Sequence, residues 1–150
     1  MSLESLIPVS GEVLSSMVLN PNQALGKNIE THTEQQGLPE LKGCSIAIVG
    51  LSEIRNAFFP TSKYKIADFR KYFYSLFPGN WNFKICDLGN LPDGNSPQDT
   101  YFALKEICIH LRQLNIVAIF LGGSNDLIFP MYQSYQANKQ LVNIVSVDNQ

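Results

Sequence analysis

Charged residues are scarce in this sequence, and their scarcity excludes whole classes of partner. Asp, Glu, Lys and Arg make up 16% of the 150 residues, and the formal net charge is −2. A nucleic-acid-binding surface needs clustered Lys and Arg, which this composition does not supply. No apolar run approaches the ~20 residues of a transmembrane helix, and the first residues lack the basic start and apolar core of a secretion signal. We therefore expect no nucleic-acid partner, no membrane partner and a cytoplasmic location.

Cysteine and histidine are also scarce, which excludes further kinds of site. The three cysteines, Cys44, Cys86 and Cys108, are far apart and form no CxxC pair. This arrangement argues against a disulfide framework or a zinc knot and predicts core thiols in a reducing compartment. The two histidines, His32 and His110, have no neighbouring nucleophile that would indicate a Ser–His or Cys–His pair. No GxGxxG, GxxxxGK[ST] or GxSxG motif follows an apolar run, so the common nucleotide loops and the nucleophile elbow are excluded.

The sequence is rich instead in short apolar runs, with 45% hydrophobic residues in all. Runs of this length that end on glycine or a carboxylate are typical of buried parallel strands. We predict strands over residues 44–49, 83–87, 116–121 and 141–147. The patterns between them predict helices over 66–77, 96–115 and within 127–139. Strands that alternate with helices predict an α/β fold with a mostly parallel sheet and right-handed crossovers.

Two of these helices carry more specific signals. Ser96, Pro97 and Asp99 resemble a capped helix start, and Asn115 is suited to close the same helix. In the helix predicted over 66–77, one face is apolar and is expected to face the core; it carries Ile66, Phe69, Phe73, Leu76 and Phe77.

The chain divides into two regions by composition. Residues 1–42 are polar, and we expect an N-terminal arm that lies over the body, with one short helix near 10–19. Residues 43–150 form the α/β region. The last predicted strand is followed by only three residues, and a native domain rarely ends on the rim of a central strand. We therefore expect the front part of a longer protein, in preference to a complete flavodoxin-like domain.

Polar residues follow the predicted strands at the points where a site would form. Parallel strands end at one edge of their sheet, which is where α/β proteins place their sites. A carboxylate at the end of an apolar strand is costly unless it is paired, capped or bound to a cation. For Glu53 and Arg55, an ordinary solvated loop is the alternative interpretation. The candidate site residues are Glu53, Arg55, Ser124, Asn125, Asp126 and Asp148.

Residues 43–150 resemble the N-terminal part of the arginase/agmatinase/formimidoylglutamase family, the ureohydrolases. Members of this family run an apolar strand into Gly-Gly-x-His and a later strand into Asp-Ala-His-x-Asp. Here Gly-Gly-Ser-Asn stands at 122–125, and Val-Asp-Asn-Gln stands at 147–150. The stretches Ala-Asp-Phe-Arg at 67–70, Phe-Pro-Gly-Asn-Trp at 77–81 and Asp-Leu-Gly-Asn at 87–90 add to the resemblance.

The resemblance implies a three-layer α/β/α fold of the arginase/deacetylase type, incomplete at its C-terminus, and assembly into trimers or hexamers. It also implies two Mn²⁺ ions, whose bridging hydroxide attacks the carbon of a guanidinium or formimidoyl group. Three positions bear on the metal site. Asp148 keeps its ligand type, but Asn125 and Gln150 replace the two motif histidines. Neutral amides bind transition metals more weakly than imidazole does.

We therefore expect a ureohydrolase-family protein whose manganese site is degraded, with manganese absent or only partly bound. The family reaction hydrolyses linear C–N bonds in substrates such as arginine, agmatine or formimidoylglutamate, and we expect weak or no activity here. One alternative is an active hydrolase with a single or unusual metal at Asp148 and later aspartates. Another is a non-enzymatic protein that binds small molecules or assembles into oligomers, with residues 1–42 against a neighbouring subunit.

Overall fold

A four-stranded sheet organises the protein, which is described by a computed structural model covering residues 3–58, 65–80, 82–137 and 139–147. The strands are β1 (Glu30–Thr31), β2 (Cys44–Leu51), β3 (Lys84–Leu91) and β4 (Val117–Gly122). The helices are α1 (Gly11–Leu19), α2 (Ile66–Ser75), α3 (Pro97–Gln113) and α4 (Ile128–Gln136). Short 3₁₀ turns lie at Leu3–Ser5, Leu25–Asn28 and Asn125–Leu127.

All strand pairs in the sheet are parallel, in the order β1-β3-β2-β4. Ile48, in the middle of β2, has Asp87 of β3 on one side and Ile119 of β4 on the other. β3 and β4 therefore lie on opposite sides of β2, as two right-handed crossovers with helices on opposite faces require. The prediction of an α/β fold with a parallel sheet is confirmed.

Alternating residues of the strands build one apolar core on each face of the sheet. Ala47, Val49 and Leu51 of β2 join the core beneath α3, whereas Ile48 joins the core beneath α1 and α2. Helices on both faces of a parallel sheet make three layers. The carboxyl ends of β2, β3 and β4 consequently open onto one edge of the sheet.

The start and end of α3 follow from its sequence. Ser96 Oγ accepts a hydrogen bond from Asp99 N–H at 3.3 Å, and Ser96 N–H donates to the Asp99 carboxylate at 2.8 Å. This is the predicted capping box. Asn115 follows the helix in a left-handed conformation, with φ of 57°, so the predicted C-terminal cap is also confirmed.

The N-terminal segment packs on the sheet of its own chain. Val9 and Val13 are buried, and Ile7 forms an antiparallel bridge with Asn90. The helix expected near 10–19 is α1. The segment also contributes β1, a two-residue strand that the sequence patterns did not indicate, which pairs with β3.

The strand predicted over 141–147 is wrong. These residues form no strand, and the side chains of Leu141, Ile144, Val145 and Val147 are exposed. A turn after α4 sets the direction in which the chain leaves. Lys139 N–H donates to Gln136 O at 2.9 Å, and Gln140 N–H donates to Tyr135 O at 3.2 Å. This is the Schellman pattern, with Lys139 left-handed at φ of 54°.

The prediction for the inward face of α2 is confirmed only in part, since Ile66 and Phe73 are half-buried and pack against the core. Arg70 and Tyr74 are the buried residues of this helix, whereas Phe69, Leu76 and Phe77 are exposed. The reason lies on β3, whose Asp87 is fully buried and faces this helix. A buried carboxylate needs donors, and Arg70 and Tyr74 supply them.

Cys44, Cys86 and Cys108 are free thiols. Cys44 and Cys86 are buried, and burial raises the pKa of the Cys86 thiol to about 12. None of the helices in the described part of the chain is long and apolar enough to span a membrane.

Candidate functional site

Two consecutive glycines end β4 and shape the turn that follows. Gly122 and Gly123 have φ values of +84° and +80°, a region that other residues adopt only with strain. A Cβ on Gly122 would lie 2.8 Å from the Leu51 carbonyl oxygen, and one on Gly123 would lie 2.4 Å from Leu127 Cδ1. Both positions therefore need glycine for the backbone conformation, and Gly122 needs it also because a backbone oxygen leaves no space for a Cβ.

This turn fastens the loop after β4 to the loop after β2. Ser124 N–H donates to the Glu53 carbonyl oxygen at 2.9 Å, and Ser124 Oγ donates to the same oxygen at 3.2 Å. Two of the predicted rim residues therefore meet through the Glu53 carbonyl group and both the backbone and the side chain of Ser124.

The Glu53 carboxylate is the centre of a second set of contacts. Its side chain is 1% exposed and accepts hydrogen bonds from Arg55 Nε at 2.9 Å and Thr100 Oγ1 at 3.0 Å. The Arg55 guanidinium also donates to the Gly94 and Asn95 carbonyl oxygens, at 3.0 and 3.1 Å. Glu53 and Arg55 thus connect three elements: the loop after β2, the loop after β3 and the first turn of α3.

These contacts shift the acidity of both partners. The hydrogen bonds from Arg55 lower the pKa of Glu53 from 4.5 to about 2, although burial opposes that change. The Glu53 carboxylate in turn raises the pKa of Arg55. Glu53 is therefore ionised at neutral pH and neutralised by Arg55, so it is not placed to act as a proton donor.

Asp126 lies at the same edge with different partners. Its Oδ2 accepts hydrogen bonds from Tyr101 Oη and from Asn56 Nδ2, the latter at 3.2 Å, and Asn56 Nδ2 also donates to Tyr101 Oη at 2.8 Å. Its Oδ1 is buried and has no hydrogen-bond partner among the described residues. Burial raises the pKa of Asp126, but the polar groups of Ser124, Tyr101 and Asn56 outweigh that effect and lower it overall. An ionised carboxylate with one unused oxygen is the result.

The described loop residues at this edge carry an excess of negative charge. Residues 52–56, 92–101 and 123–127 contain four carboxylates and one guanidinium, a net charge of −3. Since Arg55 is already paired with Glu53, the remaining carboxylates would favour a cationic ligand.

The structure thus brings Glu53, Arg55, Ser124 and Asp126 together at one edge, as predicted. Asn125 is exposed there at the start of a 3₁₀ turn. Asp148 and Gln150 lie outside the described residues. Sequence reasoning missed Asn56, Thr100 and Tyr101. Thr100 and Tyr101 follow the capping signal of α3 directly, and that signal marks a helix start at this edge.

The described residues do not fit a two-manganese centre. They contain no group of three or more His, Cys, Asp or Glu side chains arranged to hold a metal ion. Glu53 is paired with Arg55, Asp126 accepts hydrogen bonds from Tyr101 and Asn56, and Asn125 supplies only a neutral amide. Carboxylate oxygens suit Mn²⁺, but a stable site needs several ligands that converge on the ion, and the described residues do not supply such a set.

A second polar cluster, on β3, has a structural explanation. Asp87 is fully buried and accepts hydrogen bonds from Arg70 Nε and Nη2, both at 2.8 Å, and from Tyr74 Oη at 2.7 Å. Arg70 also donates to Gly89 O and to Asn90 Oδ1. Each charge is paired and hydrogen-bonded, so the cluster fastens α2 to β3 and leaves no free group for a ligand.

Comparisons with models of protein families, with curated proteins and with solved structures give no match for this chain.

Proposed function

We propose that this chain is a ureohydrolase-type α/β protein with a degraded manganese site. It binds an amidine or guanidine small molecule at the carboxyl edge of its sheet and hydrolyses it weakly or not at all. The observation that carries the proposal is Asp126, whose buried Oδ1 has no hydrogen-bond partner among the described residues. Leaving a buried charged acceptor unsatisfied is costly, so a donor is expected to complete it.

An amidinium or guanidinium group has the chemistry to do so. Its planar N–H donors match a carboxylate in charge and in geometry. The net charge of −3 in the described edge loops favours a cation over an anion or a neutral ligand. The order of a parallel strand, two glycines and a polar turn agrees with the resemblance to ureohydrolases, although the arginase-like topology and trimeric or hexameric assembly remain proposals.

We expect weak or absent hydrolysis because the carboxylates at this edge already accept hydrogen bonds from neighbouring side chains. Attack of water on an amidine carbon requires a group that activates the water. Glu53 is neutralised by Arg55, and the hydrogen bonds of Asp126 lower its pKa, which reduces its basicity. The described part of the edge therefore recognises a cation better than it activates a nucleophile. The free thiols also support a cytoplasmic location as part of this proposal.

Titration calorimetry with agmatine, arginine and formimidoylglutamate tests the binding. Asp126→Asn removes the charge at the edge, and Glu40→Gln removes a charge from an exposed residue just before β2, at the opposite end of the sheet. We expect Asp126→Asn to weaken binding of at least one ligand about tenfold or more, a loss of roughly 1.4 kcal/mol, while Glu40→Gln keeps the wild-type affinity. Absence of binding by the wild type, or equal affinity of both variants, would overturn the proposed ligand class.

Assays for urea and formamide release, with Mn²⁺ added, test the second half of the proposal. We expect release no faster than in protein-free controls with the same metal. Manganese-dependent release that Asp126→Asn abolishes would favour the alternative of an active hydrolase with a single or unusual metal.

A further inference from the structure

One edge of the sheet has no partner in the described part of the chain. β4 pairs only with β2, so the backbone N–H and C=O groups on its other side form no ladder. An exposed strand edge of this kind accepts an additional strand, and natural proteins usually cover it. The edge is six residues long, about 20 Å at ~3.3 Å per residue.

Apolar surface lies on both sides of this edge. On the face of the sheet that carries α2, Val117 and Ile119 of β4 are exposed. On the opposite face, an open groove of about 480 Å³ runs between β4, α3 and α4. Its apolar lining includes Leu111, Ala118, Phe120, Met131 and Tyr135. A strand on this edge would need apolar side chains on both of its faces.

Residues 141–147, Leu-Val-Asn-Ile-Val-Ser-Val, meet that requirement. Side chains alternate between the two faces of a strand, so Leu141, Val145 and Val147 would share one face and Val142 and Ile144 the other. These residues are rich in strand-forming Val and Ile, yet they form no strand and are mostly exposed. Their length of about 23 Å, at ~3.3 Å per residue, matches the length of β4.

The connection through α4 indicates where such a strand belongs. α4 packs against α3, so it lies on the same face as the preceding crossover helix. A right-handed crossover from β4 through a helix on this face continues in the direction from β2 to β4. It therefore leads to the open edge, where the added strand would be parallel to β4.

The turn at Lys139, between α4 and residues 141–147, favours exchange of this segment between two molecules. Lys139 is left-handed, a conformation that costs a residue other than glycine about 1–2 kcal/mol. Among the described residues, 141–147 do not pair with β4 of their own chain, and a short hinge under strain promotes domain swapping. The open edge and the unpaired segment are thus complementary, and the hinge between them is strained.

We propose that residues 141–147 of one molecule add to the open edge of β4 in a second molecule as a fifth, parallel strand. A reciprocal exchange gives a closed dimer of two identical contacts. This inference rests on the open edge and the exposed segment, and it does not depend on the ligand proposed above.

Sedimentation and light scattering of the full chain give the first test, at concentrations from about 1 to 100 µM, where modest interfaces dissociate. We expect a mass of at least twice the 16.8 kDa of one chain at the upper end. Two lysine substitutions address the two partners, Ile119→Lys on β4 and Val145→Lys in the segment. Val18→Lys, on the exposed face of α1, is the matched control. It also places a lysine at an exposed valine, since Val18 is 74% exposed and Val145 is 85% exposed.

Mixing the two variants distinguishes this exchange from other apolar association. Each variant alone should be monomeric, whereas an equimolar mixture should form a dimer, weaker than that of the wild type, because one of the two contacts then joins an intact segment to an intact edge. Circular dichroism of each variant, matching that of Val18→Lys, shows that the fold is retained. Association retained by both variants, or absent from their mixture, would overturn the proposal. A wild-type protein that stays monomeric would also overturn the proposal. This includes a monomer in which hydrogen exchange shows that the amides of residues 141–147 are protected, because the segment then pairs within its own chain.

Discussion

The Tyr101 phenol donates its hydrogen bond to Oδ2 of Asp126 and so joins the first turn of α3 to the turn after β4. The same contact leaves Asp126 Oδ1 as the one oxygen of this carboxylate without a partner among the described residues. Tyr101 thus orients the group on which the proposed ligand binding depends.

Tyr101→Phe should lower the free energy of unfolding and raise the pKa of the Asp126 carboxyl. A hydrogen bond to a charged group contributes about 1.5–3 kcal/mol, and the partial exposure of this pair places the expected loss near the lower end. The pKa of Asp126 should rise, because the phenol that lowers it is lost. A carbon-detected NMR titration and urea denaturation measure the two effects. Tyr72→Phe, at an exposed tyrosine of α2, should change neither quantity, and an unchanged Asp126 pKa in Tyr101→Phe would contradict the expectation.

Glu53 should make stability depend on pH in acid. Its pKa is about 2 in the folded protein and 4.5 as the ordinary value, so the unfolded chain takes up its proton first as pH falls. The stabilisation from this group is complete above about pH 5 and is lost towards pH 2. Because Glu53→Gln removes the titrating group, its unfolding free energy should fall less steeply than that of the wild type over this window. Urea denaturation at each pH gives the unfolding free energy of both proteins. If the two free energies fell in parallel with pH, the Arg55 contact would not contribute to stability.

Arg70→Met should be strongly destabilising. It leaves Asp87 buried without its cation, and breaking a buried ion pair on one side costs about 3–5 kcal/mol. The adjacent Lys71 pairs with Glu12 at the surface, where solvent screens the charges, so Lys71→Met should cost far less than Arg70→Met. Urea denaturation of both variants provides the comparison, and equal losses would refute the assigned difference between the two ion pairs.

Gly122→Ala should destabilise the protein by more than the cost of placing alanine in a left-handed conformation. Gly37 also has a positive φ, of 72°, but a Cβ there meets nothing within 4 Å. Gly37→Ala therefore measures the conformational cost, about 1–2 kcal/mol. At Gly122 the added carbon also meets the Leu51 carbonyl oxygen, so we expect a further loss of about 1 kcal/mol or more. Thermal or urea unfolding compares the two variants, which should not be equally stable.

Local patterns predicted much of the fold because they reflect local causes. The capping box of Ser96 and Asp99 fixed the start of α3, and apolar runs identified β2 and β4. A two-residue strand such as β1 has no periodicity to detect. The segment 141–147 has strand composition, but a strand also requires a paired neighbour, and these residues pair with no described strand.

The site could be predicted only in part for a related reason. The rule that parallel strands end at one edge placed Glu53, Ser124 and Asp126 together. It did not reveal that Tyr101, in the first turns of α3, reaches Asp126. Similarly, the inward direction of Arg70 depends on a charge on β3, and the periodicity of α2 carries no information about that partner.

Metal content is the measurement that tests the degraded manganese site most directly. The chain is purified from manganese-supplemented medium, dialysed, and analysed by elemental mass spectrometry alongside Asp126→Asn. We predict manganese close to the buffer background in both proteins, because Asn125 supplies an amide at a motif histidine position and the carboxylates of Glu53 and Asp126 are engaged by neighbouring donors. About two manganese ions per wild-type chain, the number of a two-metal centre, would contradict the account.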